Sequence, residues 1–223
     1  MSKVSLRTMA MVLTVLAGTM ACQARSATAA AVPAPAVDET KAAASGKQTA
    51  VVAGGCFWGI QAVFQHVKGV RNATSGYSGG TVKNPDYEQV SSGRTGHAES
   101  VEVVYDPSKV TYGELLRVFF SVALDPTEVN RQGPDEGTQY RSVIFYANAD
   151  QKRIAEAYIA QLNQAGIFSA PIATQVVPLE KFYPAEQYHQ NYAMLHPDNP
   201  YIVYNDAPKV ANLKKEFPEM YSK

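Results

Sequence analysis

The sequence predicts an α/β two-layer sandwich in which helices flank a mixed β-sheet. Three observations carry that expectation. Short apolar runs alternate along the chain with amphipathic stretches of helical period. The stretch that holds them, residues 49–223, is long enough to bury one well-filled core. Of the 223 residues, 46% are hydrophobic and 18% charged, the balance of a globular chain and not of a disordered one.

The elements follow in order. Val51 and Val52 end a short buried strand at 50–53, and Ile60, Val63, Phe64 and Val67 then recur at helical spacing over 56–67. Strands are expected at 70–77 and 99–105. A helix at 112–123 starts after Thr111, a good N-cap, and buries Leu115, Leu116, Phe119 and Val122. A strand at 142–146 precedes a helix at 150–165 with Ile154, Tyr158, Ile159 and Leu162 on one face and Gly166 as its C-terminal cap. A strand at 172–179 and helices at 185–195 and 208–217 complete the set. Two stretches, 78–98 and 125–140, resist assignment, and long loops inside a compact domain often carry function.

Ahead of this domain lies a targeting segment. Lys3 and Arg7 precede the apolar run 9–20, which is too short to span a membrane and has the proportions of a signal-peptide core. Residues 1–21 are therefore read as a signal peptide, and the protein as exported to the periplasm or cell envelope. Two processing routes stay open: cleavage before Cys22, with lipidation of that residue, or cleavage near Ala27-Thr28-Ala29. Residues 22–48, rich in Ala, Pro, Ser and Thr, read as a disordered linker.

Lys and Arg together number 20, and so do Asp and Glu, so no charge excess points to nucleic acid or to a cationic partner. The 4 histidines have no zinc-ligand spacing with cysteine or with each other, so no metal site is expected. No heptads or pairing segment are evident, and a monomer is expected.

Cys56 is the most informative residue. It falls in Ala53-Gly54-Gly55-Cys56-Phe57-Trp58-Gly59, at a Gly-rich strand-to-helix junction. A helix N-terminus stabilises an anion and lowers a thiol pKa. With Phe57 and Trp58 beside it, the thiolate reads as a nucleophile facing an apolar ligand group; a buried structural cysteine is the other reading. Glu99 opens a strand and shares a face with Val101, Val103 and Tyr105, the core side. A carboxyl at such a rim loses hydration, its pKa rises, and it becomes a general acid near neutral pH, unless it simply reaches solvent. Asp135 lies in a polar loop that delivers Tyr140 to a strand, and it reads equally as a turn residue. Tyr87 and Tyr192 gain no role from spacing alone.

Gly54-Gly55-Cys56-Phe57-Trp58-Gly59 resembles the active-site motif of the A-type peptide methionine sulfoxide reductases. Four further segments agree in order and spacing: Ser75-Gly-Tyr-Ser-Gly-Gly80; Gly96-His-Ala-Glu99-Ser-Val; Asp125-Pro-Thr with the run Arg131 to Ser142; and Tyr188-His-Gln-Asn-Tyr192. The resemblance spans roughly residues 50–217. It implies a ferredoxin-like core with long functional loops. It implies reduction of the S epimer of methionine sulfoxide, free or in peptides and proteins, without a bound cofactor. Cys56 would attack the sulfoxide sulfur, and Glu99 would protonate the oxygen. Tyr87 and Tyr140 would hydrogen-bond that oxygen, Phe57 and Trp58 would hold the S-methyl group, and Asp135 and Tyr192 would orient water or substrate.

Many relatives resolve the resulting sulfenic acid with a second cysteine near the C-terminus. Here Ile202 stands about where some relatives carry it, and no cysteine follows. The resemblance therefore implies a one-cysteine enzyme recycled by an external thiol, thioredoxin-like or small. Gln61 and Leu124 replace a glutamate and a histidine common in the family. Two other classes compete: a thiol peroxidase, which would need no methyl pocket, and a non-catalytic binding protein, which would not need the thiol.

Overall fold

The computed structural model describes residues 32–223. The expected signal peptide and Cys22 lie outside the described residues. The chain runs β1 (Gln48–Ala53), α1 (Phe57–Gln65), β2 (Val70–Ser78), α2 (Tyr87–Ser91), β3 (Ala98–Tyr105) and α3 (Tyr112–Val118). It continues through β4 (Arg131–Gln132), β5 (Asp135–Glu136), β6 (Val143–Tyr146), α4 (Ala149–Ala165), β7 (Gln175–Pro178), β8 (Phe182–Pro184), α5 (Tyr192–Leu195) and α6 (Ala207–Glu216).

Six strands form one mixed sheet in the order β7-β6-β1-β3-β2-β8. The central four, β6-β1-β3-β2, are antiparallel to one another and interleave with α1, α3 and α4, which is the expected ferredoxin-like core. β7 adds to β6 in parallel and β8 to β2 antiparallel. Alternation along the strands decides the layers. Val52, Val101, Val103 and Ile144 bury against Ile60, Val63, Phe64, Leu115 and Leu116 from the helices. Val51, Ala53, Val143 and Phe145 form a smaller cluster on the opposite face.

Three expectations are corrected. The linker expected over 22–48 is ordered from Val32 onward and packs on the domain. Val32 is in the core, and its carbonyl accepts from Arg117 Nε at 2.9 Å. The Tyr158 hydroxyl donates to the Pro33 carbonyl at 2.6 Å, and Gln161 bonds both the Ala34 carbonyl and the Ala36 amide. Asp38 accepts from Thr111 Oγ1 and from the free Gly113 N–H in the first turn of α3. Small-residue composition reads as disorder, but this segment is held by polar pairing and capping more than by bulk burial.

The helix expected over 185–195 is broken. A 3-10 turn at Gln187–His189 ends at an extended Gln190, and Asn191 adopts φ +59° before α5 begins. The cause is the Gln190 side chain, which bonds both backbone groups of Ser75 and the Ala185 carbonyl and so pins the chain to β2. The helix expected over 112–123 changes to a π turn at Phe119–Ala123. Neither unassigned stretch is empty: α2 lies in the first, the β4–β5 hairpin in the second.

Candidate active site

Cys56 is the N-cap of α1, and Gly54 and Gly55 make its neighbourhood possible. Gly55 has φ +95°, and a Cβ there would stand 2.6 Å from Gln132; a Cβ on Gly54 would stand 2.8 Å from Leu124. Only glycines let the 124–135 loop close this tightly on the thiol. The Gln132 amide holds that loop by bonding both the N–H and the carbonyl of Asp125.

Glu99, the second residue of β3, points to the core face as expected and is 2% exposed. Its Oε2 accepts from the Phe57 amide at 3.0 Å, which ties it to the first turn of α1. Burial pushes its pKa up to about 8; the Phe57 N–H opposes this, while the charges of Asp135 and Asp206 add to it.

The thiol departs from expectation. Its pKa is raised, not lowered, first by burial and then by the carboxylates of Glu99 and Asp206. The Trp58 backbone N–H, the helix-terminus effect the sequence suggests, pulls it down but does not win. Thiol and acid therefore both hold their protons at neutral pH.

Tyr87 and Tyr140 enter the same neighbourhood from the two loops that resist assignment. Tyr87 opens α2, which Asp86 and Gln89 cap reciprocally, and its N–H donates to Glu186 at 2.8 Å. Its phenol is raised to about 12 by burial and then by the charges of Glu99 and Cys56. Tyr140 closes a 3-10 turn, and its phenol is raised by burial, then by Glu99, Tyr87, Asp135 and Cys56. Asp135 accepts the Tyr201 hydroxyl and lines the cavity beside Cys56.

The aromatic residues separate. Phe57 is 1% exposed and packed on the rings of Tyr77 and His189, and neither it nor Trp58 lines the cavity that opens beside Cys56. Trp58 is half-buried, with Tyr192 stacked on it at 3.8 Å and Tyr201 edge-on at 6.0 Å. Tyr192 thus braces Trp58 and bonds Asn199.

Three residues with no sequence-level role now join the site. His189 accepts the Trp58 indole N–H at 3.2 Å and packs between the Phe57 and Tyr87 rings. Burial lowers its pKa, so it is neutral, and Nδ1 accepting the indole places the proton on Nε2. Tyr201 links Trp58 to Asp135, and Asp206 is a fully buried carboxylate behind the thiol. Only the quoted Tyr188–Tyr192 motif contained a hint, for His189. Gln61 is buried, donates to the Gln190 side chain at 3.0 Å and accepts the Asn191 N–H, so this departure from the family joins α1 to the same motif.

A cavity of about 360 Å³ opens beside Cys56. Among the described residues, no cluster of three or more His, Cys, Asp or Glu could hold a metal ion. A buried acid one hydrogen bond away from the helix that carries an approachable thiol belongs to enzymes that couple thiol attack to proton delivery.

Comparison with known proteins names that chemistry. The family model for peptide methionine sulfoxide reductase matches residues 48–221. Peptide methionine sulfoxide reductase MsrA 2 of Mesorhizobium japonicum is 63% identical over 180 residues, 81% of this chain and 92% of that protein. Methionine sulfoxide reductase A of Corynebacterium diphtheriae superposes with a TM-score of 0.60 at 40% identity, covering 69% of this chain and 77% of that one. Reduced Mxr1 of Saccharomyces cerevisiae gives 0.61 at 33% identity, covering 73% and 91%. The fold and the matches define a thiol-dependent oxidoreductase. The chain belongs to the peptide methionine sulfoxide reductase family and reduces methionine sulfoxide to methionine.

Proposed function

We propose that the chain reduces the S epimer of methionine sulfoxide, in proteins, in peptides or free, through a one-cysteine cycle. The observation that carries this reading is the Glu99 carboxyl, buried, pushed up to about 8 and bonded to the α1 turn beside Cys56. Cys56 attacks the sulfoxide sulfur. Glu99 lends its proton to the sulfoxide oxygen, a poor leaving group until protonated. The Tyr87 and Tyr140 hydroxyls keep their protons throughout the working range and donate to the same oxygen. Trp58, braced by Tyr192 and held by His189, takes the S-methyl group together with Phe57. The oxygen passes to sulfur of Cys56, methionine leaves, and a sulfenic acid remains.

With no second cysteine after Cys56, the sulfenic acid is reduced by an external thiol, thioredoxin-like or small. The basic and apolar run at the N-terminus supports an exported enzyme that repairs oxidised envelope proteins, with Cys22 a candidate lipid anchor.

Single-turnover reduction of each epimer of N-acetyl methionine sulfoxide amide by the pre-reduced full chain tests the reading. The S epimer alone yields about one methionine per enzyme, with sulfenic acid trapped on Cys56. Equal yield from both epimers contradicts the epimer assignment, and a Cys22–Cys56 disulfide contradicts the one-cysteine cycle.

A further inference from the structure

We propose that Lys209, clamped by the buried carboxylate of Asp206, receives the reductant thiolate that regenerates Cys56. This rests on the one-cysteine cycle above. The cavity on the open side of Cys56 is lined by Asp125, Glu128, Asp135, Tyr201 and Lys209 among others, and Lys209 is its single cation among the described residues. The three carboxylates are already partnered. Asp125 accepts from the Thr127 amide and hydroxyl, Glu128 pairs with Arg131 at 3.2 Å, and Asp135 accepts from Tyr201. Lys209 makes its ion pair with Asp206 and with none of these three, though its charge also acts on Asp135.

Its position is fixed from behind. Lys209 Nζ lies 3.2 Å from Asp206 Oδ1, and Asp206 is 0% exposed with Oδ2 unpartnered. Both groups press on the first turn of α1: a Cβ on Gly59 would stand 2.1 Å from Asp206 Oδ1 and 2.9 Å from Lys209 Nζ. Gly59 makes room for this pair within one turn of Cys56. An ammonium has three donors, and the bond to Asp206 uses one. α6 thus brings a pinned cation to the cavity that Cys56 also lines.

The step needs such a cation because the attacking species is a thiolate, while the cavity is otherwise acidic. The thiolate sulfur attacks Cys56 Sγ. An S–S bond forms, the Sγ–O bond breaks, and the oxygen leaves as water with the proton the reductant shed. The reductant sulfur is oxidised, and the Cys56 sulfur is reduced from sulfenic acid to disulfide. A second reductant thiol then breaks the mixed disulfide and restores the Cys56 thiol.

The test measures the two half-reactions separately on the full chain. Sulfenic acid formed in one turnover is reduced by 2-mercaptoethanesulfonate, 2-mercaptoethanol or cysteamine. In Lys209→Gln the recycling rate with the anionic thiol falls roughly tenfold more than the methionine-forming rate. Cysteamine is affected least, and Lys209→Arg restores most of the loss. The double variant Asp206→Asn/Lys209→Gln, which leaves no unpaired buried charge, shows the same dependence on thiol charge. Equal losses in both half-reactions, or a recycling rate unchanged with all three thiols, overturn the proposal. A turnover that ends in a Cys22–Cys56 disulfide instead overturns the one-cysteine cycle itself.

Discussion

β3 carries a buried carboxylate at each end, and the two are in opposite states. Asp106, just after the strand, accepts from Ser45, Gly46, Arg71 and both the amide and hydroxyl of Ser108. Those donors, Ser45 foremost, hold its carboxyl well below the usual carboxylate range. Glu99, at the other end, has one donor, the Phe57 amide, and is pushed up to about 8. Both are 2% exposed, but Glu99 lies deep in the core, where burial is the main cause of its shift, whereas Asp106 sits at the rim, where its donors outweigh burial. Depth and the number of donors together set the two states. One carboxylate staples the N-terminal segment and β2 to the strand; the other keeps its proton, which the proposed mechanism delivers to the sulfoxide oxygen.

The largest expected effect lies at the protonated end. Cys56→Ser abolishes methionine formation, and Glu99→Gln slows it by about 10²–10⁴-fold in single-turnover assays. Glu99→Gln also lowers the pH at which iodoacetamide alkylates Cys56, because the carboxylate charge that raises the thiol is gone. An alkylation curve unchanged in this variant would separate the two groups.

Stability should respond in opposite pH windows. The folded Glu99 holds its proton to about 8, whereas the unfolded residue loses it near 4.5, so Glu99 contributes a stability loss of a few kcal/mol as pH rises between them. Glu99→Gln removes that slope. Asp106 is the reverse: its folded value is depressed, so its contribution is present above the ordinary aspartate range and fades as pH falls below it. Asp106→Asn flattens the acid limb of a denaturation series and leaves the neutral-to-alkaline limb alone. Identical slopes in both variants would erase the distinction.

Smaller effects lie outside the carboxylates. Tyr192→Leu removes the ring stacked on Trp58, worth about 0.5–1.5 kcal/mol, and raises KM by about two- to tenfold with less change in kcat. Asp38→Ala removes the acceptor at the start of α3 and costs about 1 kcal/mol in chemical denaturation, without altering the pH profile of turnover.

The same contrast explains what the sequence disclosed. Strand alternation placed Glu99 on the core face, and helical spacing found α1 and α4 nearly to their ends. Local pattern could not report what distant residues do. The Cys56 thiol is raised because carboxylates arrive from β3 and from the start of α6, and the helix terminus alone suggested the opposite. Residues 32–47 look like linker by composition, yet Asp38, Pro33 and Ser45 are held by partners more than sixty residues away. The break at Gln190 likewise depends on Ser75, and Lys209 gains its meaning only where Gly59 admits it.

The most direct test is the pH dependence of kcat/KM for the S epimer, compared between wild type and Glu99→Gln. In the proposed mechanism attack needs Cys56 ionised while Glu99 keeps its proton, so the reacting form holds one proton between two raised groups. The wild-type profile is then a bell, rising through about 8 and falling only when the second proton is lost at higher pH. Glu99→Gln has no acid left to lose, so its much slower reaction shows a rising limb alone. A variant with the wild-type bell and the wild-type rate would contradict the assignment of Glu99 as the proton donor to the sulfoxide oxygen.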